Sequence, residues 1–301
     1  MKSEALRLGF SHVGLAPADR VPDAVMADYE KWLAEGRQGE MHYMENHMEL
    51  RRDPRLLLEG AKTVVSLAMS YHPGDRPTQK GLAWYAQGLD YHEVIRQRLS
   101  LLTSKLSALN SKLSTRSCVD TAPIMEKYWA WRCGLGWIGR NRQLVIPHEG
   151  SAFFLAELLL TCEADHYDEP LYDNPMFTGC GKCRRCLDAC PTGALTEEGL
   201  DARRCLSYLT IEHRGDLPAD VKPLLDECFY GCDRCLRACP HLSKAQGTPV
   251  EEFRPSPELL QMTDEDWQHL TPEQYRQLFR GSAVKRAKYE GLMRNINVDE
   301  T

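Results

Sequence analysis

The clearest periodic pattern in the chain is a stripe of apolar residues spaced four and three positions apart. Its members are Ile95, Leu99, Leu102, Leu106, Leu109 and Leu113. This spacing is typical of one face of an amphipathic helix, so we expect a long helix that faces the core. Residues 62–69 are apolar and rich in β-branched side chains, and they follow the turn-like pair Glu59-Gly60, which predicts a buried strand.

The rest of the pattern divides the chain into three regions. Residues 143–146 and 152–160 predict two further elements separated by a turn, and the acidic residues 165–175 predict a linker. Pro257, Asp264 and Pro272 have the character of helix starts. We therefore expect a first domain over residues 1–165, a cysteine-rich domain over 166–245 and a helical tail over 246–301.

Composition narrows the class of protein. Of the 301 residues, 43% are hydrophobic and 27% charged, which is normal for a globular protein. No apolar run approaches the ~20 residues that cross a bilayer, and the start of the chain lacks the apolar stretch of a secretion signal. The twelve cysteines cluster in CxxC spacing, which favours metal binding in a reducing compartment over disulfides. The sequence thus predicts a cytoplasmic protein without a membrane contact.

The overall net charge argues against a protein that binds nucleic acid, but one segment is locally basic. Net charge is −6, but five basic residues fall between positions 280 and 294, namely Arg280, Lys285, Arg286, Lys288 and Arg294. Two interpretations stay open. The residues form either a solvated helix face or a patch that binds a phosphate backbone.

Two cysteine motifs carry the strongest chemical signal. The first is Cys180-x2-Cys183-x2-Cys186-x3-Cys190-Pro191, and the second is Cys232-x2-Cys235-x3-Cys239-Pro240. In two-cluster ferredoxins the first three cysteines of such a run bind one [4Fe–4S] cluster, and the fourth binds the other. A zinc site would have two CxxC pairs without the third thiol or the Cys-Pro ending. The sequence predicts two exchanged [4Fe–4S] clusters.

The eighth cluster ligand is ambiguous from spacing. Cys228 is near the second motif but three residues separate it from Cys232, whereas Cys205 is farther away and could approach from a helix. Spacing alone leaves both open. Cys118, Cys133 and Cys162 are isolated, and we expect ordinary buried thiols there.

A lone acid and a glycine-rich run lie in the first domain. Asp120 precedes the turn at Thr121-Ala122-Pro123, where an aspartate is either a helix cap or a catalyst. Residues 134–139 lack the strand, helix and downstream acid of a dinucleotide-binding motif, and instead favour close approach of the backbone to a flat cofactor.

Together these motifs resemble the epoxyqueuosine reductases, which complete the synthesis of the queuosine base on tRNA. The matching motifs run through nearly the whole chain in the same order. They are residues 51–55 (RRDPR), Tyr85-Ala86-x-Gly88-x-Asp90-Tyr91-His92, Asp120-Thr121-x-Pro123, residues 134–139, Gly150-Ser151, both cysteine motifs, residues 204–212 and residues 280–294.

The resemblance implies an α+β fold, with a nitroreductase-like cobalamin-binding domain followed by a bacterial-ferredoxin-like double [4Fe–4S] domain and a short helical tail. The architecture also resembles that of reductive dehalogenases. It implies that one cluster is held by Cys180, Cys183, Cys186 and Cys239, and the other by Cys190, Cys205, Cys232 and Cys235. It further implies cobalamin, bound without its lower axial base, in a pocket formed by Arg51, Tyr85, Asp120, Leu144, Leu155 and Ser207.

The sequence departs from the family pattern in two places. Members usually have Cys-Pro-Trp-Asn after the second motif, whereas this chain has Cys239-Pro240-His241-Leu242. Many members continue into a helical-repeat domain, and the expectation here is a short form without it.

The implied reaction converts an epoxide into an alkene and water with two electrons and two protons. We expect Asp120 to donate the proton, because a cofactor-covered pocket favours a neutral carboxylic acid; Glu126, Asp90 and Glu212 are the fallback acids. Arg280, Lys285, Arg286 and Lys288 are the candidates for holding tRNA.

The expected partners are tRNA carrying epoxyqueuosine and an external one-electron donor of flavodoxin or ferredoxin type, with the protein a monomer. Two alternatives are a cobalamin-dependent reductase of another small molecule and an iron–sulfur electron carrier.

Overall fold

The computed structural model describes residues 1–225 and 228–297. Its α-helices are, in chain order, α1 Lys2–Arg7, α2 Asp23–Ala34, α3 Met48–Arg52, α4 Tyr91–Leu109, α5 Glu126–Arg132, α6 Arg185–Asp188, α7 Leu206–Ile211, α8 Arg234–Arg237, α9 Pro257–Leu260, α10 Asp264–Gln268, α11 Pro272–Leu278 and α12 Lys288–Ile296. The strands are β1 His12–Pro17, β2 Thr63–Ser70, β3 Thr115–Cys118, β4 Trp137–Ile138, β5 Leu144–Val145, β6 Phe153–Leu160, β7 Leu195–Thr196 and β8 Gly199–Leu200. Short 3-10 turns cover His42–Glu45, Pro54–Leu56, Trp84–Ala86, Thr178–Cys180, Ala202–Arg204, Lys222–Leu224, Pro240–Lys244, Glu251–Phe253 and Ala283–Ala287.

A four-stranded antiparallel sheet is the centre of the first region. Its strand order is β1-β2-β6-β3, with Val65 opposite Leu158 and Cys118 opposite Glu157. Every residue of β2 is buried because both faces of the sheet are covered, which agrees with the strand predicted over residues 62–69. The sheet and its helices make the fold α+β, as the sequence predicted.

The two faces of the sheet pack against different helices. On one face, side chains of β6 such as Phe154 and Leu158 join Ile95 and Leu99 of α4 in a first core. On the other face, Leu159 joins Trp129 of α5 in a second core. Because residues alternate along β6, Leu155 and Glu157 lie on the α5 face, and this is the face that carries the candidate chemistry.

Helix α4 is shorter than the apolar stripe predicted. Ile95, Leu99 and Leu102 are buried as expected, but the helix ends at Leu109, which is 86% exposed. The side chain of Asn110 accepts a hydrogen bond from the backbone N–H of Lys112 at 3.1 Å, and this turn stops the helix. Leu113, beyond the turn, packs against the first core without being helical.

The segments after residue 160 are tied to the first region. Residues 165–175 form no helix or strand, as expected of a linker, but Asp168 accepts a hydrogen bond from Leu15 N–H at 2.8 Å and so fixes the segment beside β1. A third core joins Leu82 and Phe229 to Trp267 of the tail. The three domain boundaries remain predictions, because side chains from all three regions share this core.

The tail agrees with the predicted helix starts. Helices α9, α10 and α11 begin at Pro257, Asp264 and Pro272, and Thr263 and Thr271 cap the last two in reciprocal hydrogen bonds with residues three positions on. Across the described residues, no helix combines the length and apolar character needed to cross a membrane.

Candidate functional site

The cysteine motifs lie on short turns that bring their thiols together. Burial raises the pKa of Cys186 to about 11, and the negative charges of Cys180 and Cys239 add to the rise. Burial also raises the pKa of Cys239, to which Cys180 and Cys183 contribute. These four side chains therefore lie close enough to interact electrostatically, and we call them the first quartet.

A second quartet is built in the same way. Burial raises the pKa of Cys235 far above that of a free thiol, and the charges of Cys205, Cys232 and Cys190 reinforce the rise. The Cys205 thiol is likewise affected by Cys232 and Cys190. Cys186 of the first quartet also acts on Cys235, so the two quartets are neighbours.

Cys228, the rival for the eighth ligand position, also lies beside the second quartet. A hydrogen bond from Cys228 is the main reason that the pKa of Cys232 falls to about 7. The Cys228 thiol in addition donates to the Leu224 carbonyl at 3.3 Å. Cys205 interacts with three members of the quartet, so the geometry favours Cys205 as the ligand.

The quartets fit a wide cluster better than a single ion. A zinc ion would need four ligand atoms about 2.3 Å from one point. In residues 1–225 and 228–297, no three His, Cys, Asp or Glu side chains are arranged around such a point. An iron–sulfur cluster separates its thiolates more widely, and the eight cysteines divide four and four as two such clusters require.

Three isolated cysteines were predicted to be ordinary buried thiols, and the structure agrees for two of them. Cys118 and Cys133 are buried, and burial raises the pKa of Cys118 to about 12. Cys162 is only partly buried.

Asp120 lies on the loop between β3 and α5 and has a left-handed backbone, with φ +50°. Its N–H donates to Glu126 Oε1 at 2.8 Å, and its Oδ2 is 3.0 Å from His92 Nε2. The other ring nitrogen of His92 is 2.7 Å from Asp90 Oδ1. The histidine thus bridges two carboxylates, while Glu126 holds the strained loop from the other side.

The electrostatics of this group follow from its charges. Burial opposes the charged form of His92, but hydrogen bonds to Asp120 and Asp90 outweigh it and raise the pKa to about 9. Burial raises the pKa of Glu126 to about 7, with a further contribution from Asp120. His92 is consequently a cation at neutral pH, and Glu126 can hold or release a proton there.

The candidate pocket residues lie on several elements around Asp120. The β3–β6 register brings the end of β3 to Glu157, two residues from Leu155, so Asp120 and Leu155 share one end of the sheet. Leu155 is only partly buried although it borders the second core, and Leu144 belongs to the same core. An apolar surface therefore remains open beside the acid, which fits the wall of a flat cofactor site.

The remaining pocket candidates, Tyr85, Ser207 and Arg51, lie on three other segments. The ring of Tyr85 is 6.3 Å from that of Tyr91, which stacks on His92 at 4.1 Å. Ser207 is partly exposed in the first turn of α7. Arg51, on α3, donates to the Asn46 carbonyl at 3.3 Å and lies over Tyr29.

Lys127 connects the acid to the second quartet, and the sequence gave no reason to single it out. Burial lowers its pKa, while the charges of Asp120 and Cys235 act in the opposite direction. Its Nζ donates to the Arg142 carbonyl at 2.7 Å. A side chain that interacts with both Asp120 and Cys235 places the second quartet near the acid.

Tyr43 is a second residue that sequence reasoning missed. Partial burial raises its pKa to about 12, with contributions from Glu212 and Asp120. The Arg286 guanidinium lies 5.7 Å from the centre of its ring. Tyr43 therefore presents a half-exposed aromatic face between Asp120 and the exposed basic residues Arg280, Lys285, Arg286 and Lys288, which we call the basic tail.

The four tRNA candidates are all exposed, but they differ in their surroundings. Arg286 binds Glu212 through two hydrogen bonds of 2.9 and 2.8 Å. Arg280 lines a groove of about 700 Å³ that also contains Glu265 and Asp266, and this groove is separate from the Asp120 group. Lys285 is exposed on the segment between α11 and α12, and Lys288 is exposed at the start of α12. Arg294 is not available, because it donates to the carbonyls of residues 209, 213 and 215.

Comparison with known proteins agrees with this geometry. Residues 51–121 match the family model described as "Epoxyqueuosine reductase QueG, DUF1730", and residues 179–241 match a 4Fe-4S double cluster binding domain. An epoxyqueuosine reductase of Cellulophaga algicola is 40% identical over 303 residues, which is 99% of this chain and 96% of the relative. This chain belongs to the epoxyqueuosine reductase family. It is therefore an oxidoreductase whose cysteine domain binds iron–sulfur clusters.

Other epoxyqueuosine reductases differ in length. The Escherichia coli enzyme is 37% identical, with 99% of this chain matching 79% of the relative. Among solved structures, an epoxyqueuosine reductase bound to an epoxyqueuosine-modified tRNA stem loop has a TM-score of 0.86 at 29% identity, over 98% of this chain and 78% of that one. A Bacillus subtilis epoxyqueuosine reductase, with its catalytic aspartate loop swung out of the active site, has a TM-score of 0.85 at 28% identity over the same shares.

Proposed function

We propose that this protein reduces epoxyqueuosine to queuosine in the anticodon loop of tRNA. The observation that carries the proposal is the placement of Asp120: a half-exposed acid on a strained loop, bridged to a charged histidine and close to a cysteine quartet. A proton donor beside a source of electrons is what deoxygenation of an epoxide needs. The solved relative with a modified tRNA stem loop supports the same substrate.

Cobalamin is the cofactor that the pocket would hold. Leu144 and Leu155 would supply its apolar wall, while Arg51, Tyr85, Asp120 and Ser207 would lie at its edges. The open apolar surface beside Asp120 supports this assignment. When bound, cobalamin supplies a low-potential cobalt that can deliver electrons to the substrate ring. The clusters would be held by Cys180, Cys183, Cys186 and Cys239, and by Cys190, Cys205, Cys232 and Cys235.

The chain's own residues account for proton delivery. Asp120 takes a proton from Nε2 of the His92 cation and passes it to the epoxide oxygen, so that the oxygen leaves as water once a second proton arrives. His92 orients the carboxyl group through its Nε2, and Glu126 holds the loop backbone. His92 is also placed to return a proton to Asp120 after turnover.

The tRNA is held outside this pocket. Lys285 and Lys288, with Arg280 and Arg286, are available to phosphates on the surface of the tail. Tyr43 offers a face on which an unstacked base of the anticodon loop can stack, and the neighbouring Arg286 favours an electron-rich ring system there.

The deciding experiment measures the oxygen that is lost. Protein with both clusters reconstituted anaerobically is incubated with cobalamin, a reductant and tRNA that carries epoxyqueuosine, and the digested nucleosides are analysed by mass spectrometry. We expect conversion to queuosine only when cobalamin is present. An unchanged nucleoside, with clusters and cobalamin shown to be bound, would contradict the proposal and indicate another substrate.

A further inference from the structure

Exposed basic residues alternate with the cysteines of the first motif. Lys182 precedes Cys183, and Arg184 and Arg185 follow it directly; all three side chains are exposed. We call these three residues the basic rim. Covalent neighbours of a cluster ligand lie within a few ångströms of the cluster, so the rim marks the surface immediately above the first quartet.

Most of the charge on the basic rim is unbalanced. Arg184 pairs with Glu197, which also pairs with Arg140. In the described part of the chain, Lys182 and Arg185 have no ion-pair partner. The exposed Asp188 at the end of α6 is the other acid of this segment. The surface is thus locally positive on a chain whose net charge is −6.

The two quartets differ in their relation to Asp120. The second motif is tied to the candidate pocket by a hydrogen bond: Asp233, the residue after Cys232, accepts from the N–H of Trp84 at 2.7 Å, and the pocket candidate Tyr85 follows Trp84. The immediate neighbours of Cys235 are a partly buried Arg234 and a buried Leu236, whereas both immediate neighbours of Cys183 are exposed. Electrons that enter from outside and leave toward Asp120 would therefore enter at the first quartet and pass through the second.

We propose that the basic rim is the docking surface for an acidic one-electron carrier protein. The inference rests on the proposed function for the need of two electrons, and it adds where their donor binds. In each encounter the carrier loses one electron and the protein gains one at the first quartet, so two encounters supply one deoxygenation. Opposite charge at the rim would steer the carrier and raise its association rate by 10- to about 1,000-fold.

The basic tail is a second positively charged surface to which an acidic carrier protein could bind, but it does not adjoin the first quartet. Arg286 of the tail is adjacent to Tyr43, which responds to Asp120, so the tail adjoins the substrate side. The basic rim adjoins the first quartet. A carrier bound to the basic rim would lie next to the first quartet, and a tRNA bound to the basic tail would lie on the side of Asp120.

The test compares two pairs of charge reversals that both flank cluster ligands. The rim variant is Lys182→Glu/Arg185→Glu. The matched control is Arg203→Glu/Arg204→Glu beside Cys205, which makes the same change in net charge; Arg203 is already bound to Asp201 by hydrogen bonds of 2.8 and 2.7 Å. Stopped-flow absorbance follows bleaching of the clusters in the anaerobic holoprotein, mixed with reduced acidic flavodoxin or, separately, with dithionite.

We expect the rim variant to be reduced by flavodoxin at least about tenfold more slowly at low salt, and the control less than about twofold. The difference should disappear near 1 M salt, where the Debye length is about 3 Å. Dithionite should reduce both variants like the unaltered protein, which shows that the clusters are intact.

Three outcomes would overturn the inference. These are equal slowing of both variants, slowing of the control alone, and loss of tRNA affinity by the rim variant with an unchanged flavodoxin rate, which would make the rim a nucleic-acid surface. Cluster bleaching needs no epoxyqueuosine. A failure of the proposed function would therefore appear in the nucleoside assay and leave this measurement interpretable.

Discussion

The cysteine quartets and the Asp120 group lie close together, but they differ in how their ionised side chains are stabilised. In the quartets, burial and the charges of neighbouring thiolates both raise the pKa of Cys186 and Cys235, whereas a hydrogen bond from Cys228 lowers the pKa of Cys232. In the Asp120 group, charges alternate along Asp90, His92 and Asp120, so each ion stabilises the next. The first region needs positive charge from outside to bring its ligands into the ionised state, whereas the second is balanced by the protein alone.

Because of this difference, we expect mutations in the quartets and mutations in the Asp120 group to change different properties of the protein. Iron supplies the missing charge to the quartets, so cluster binding should contribute to folding of residues 179–241. The Asp120 group should keep its arrangement without any cofactor, so its variants should change activity or pH dependence without changing the iron content. Four variants test this contrast, and they follow in order of expected effect.

Removing a ligand of the second quartet should have the largest effect. We expect Cys205→Ser to abolish turnover and to lower the iron content by about half, because one of two clusters is lost. Cys228→Ser is the matched control and should keep its iron, since Cys205, which interacts with Cys190, Cys232 and Cys235, is the proposed fourth ligand. Iron analysis and electron paramagnetic resonance of the reduced proteins measure the effect. The reverse result would move the ligand from Cys205 to Cys228.

Removing the proton of Asp120 should be the next largest effect. Asp120→Asn retains the shape of the side chain but cannot protonate the epoxide, so we expect turnover to fall by about 10²- to 10⁴-fold. The iron content and the tRNA affinity should stay unchanged. Asp165→Asn, at an exposed position of the linker, is the control. Full turnover by Asp120→Asn would exclude Asp120 as the acid and leave Glu126 as the nearest replacement.

The bridge through His92 should give a pH-dependent but smaller effect. The pKa of His92 is about 9 in the folded protein and about 6.5 when unfolded, so its ionic contribution is complete below about pH 6.5 and is lost as the pH rises through 9. We expect His92→Gln to lower the melting temperature of the anaerobic holoprotein by a few degrees at pH 6 and by less at pH 9.5. A difference that is constant over this range would mean that His92 contributes by packing alone.

Charge reversal on the tail should have the smallest effect, confined to tRNA binding. We expect Lys285→Glu/Lys288→Glu to flatten the dependence of log affinity on log salt by about 0.7 for each lost phosphate contact. The control is Lys112→Glu/Arg116→Glu near β3, at the edge of the sheet, where both side chains are exposed. Filter binding at several salt concentrations measures the slope. Equal slopes for all three proteins would remove the tail from the tRNA surface.

The same two regions differ in how far sequence could predict them. The cysteine motifs are local, and spacing alone predicts seven of the eight proposed ligands, because a short loop can only direct its thiols to one side. The Asp120 group joins residues 28 positions apart, and the motif that contains His92 gave no sign of the contact. Tyr43 and Lys127 carry no pattern at all, since their roles come from neighbours supplied by distant segments.

Helix α4 illustrates a different limit. Its apolar spacing continued to Leu113, but a polar turn at Asn110 ended the helix four residues earlier. Periodicity reports which side chains can face a core, and a side chain that hydrogen-bonds to the backbone can override it.

The cores also have a consequence for biosynthesis. The first core, built on the N-terminal sheet, includes Val250 and Phe253, which follow the last cluster ligand, Cys239, in the chain. A ribosome must therefore translate all eight proposed ligand cysteines before the sheet can bury its full apolar face. During that interval the nascent chain exposes unpaired thiols beside an incomplete core, so delivery of iron and sulfide has to keep pace with translation if misfolding and thiol oxidation are to be avoided.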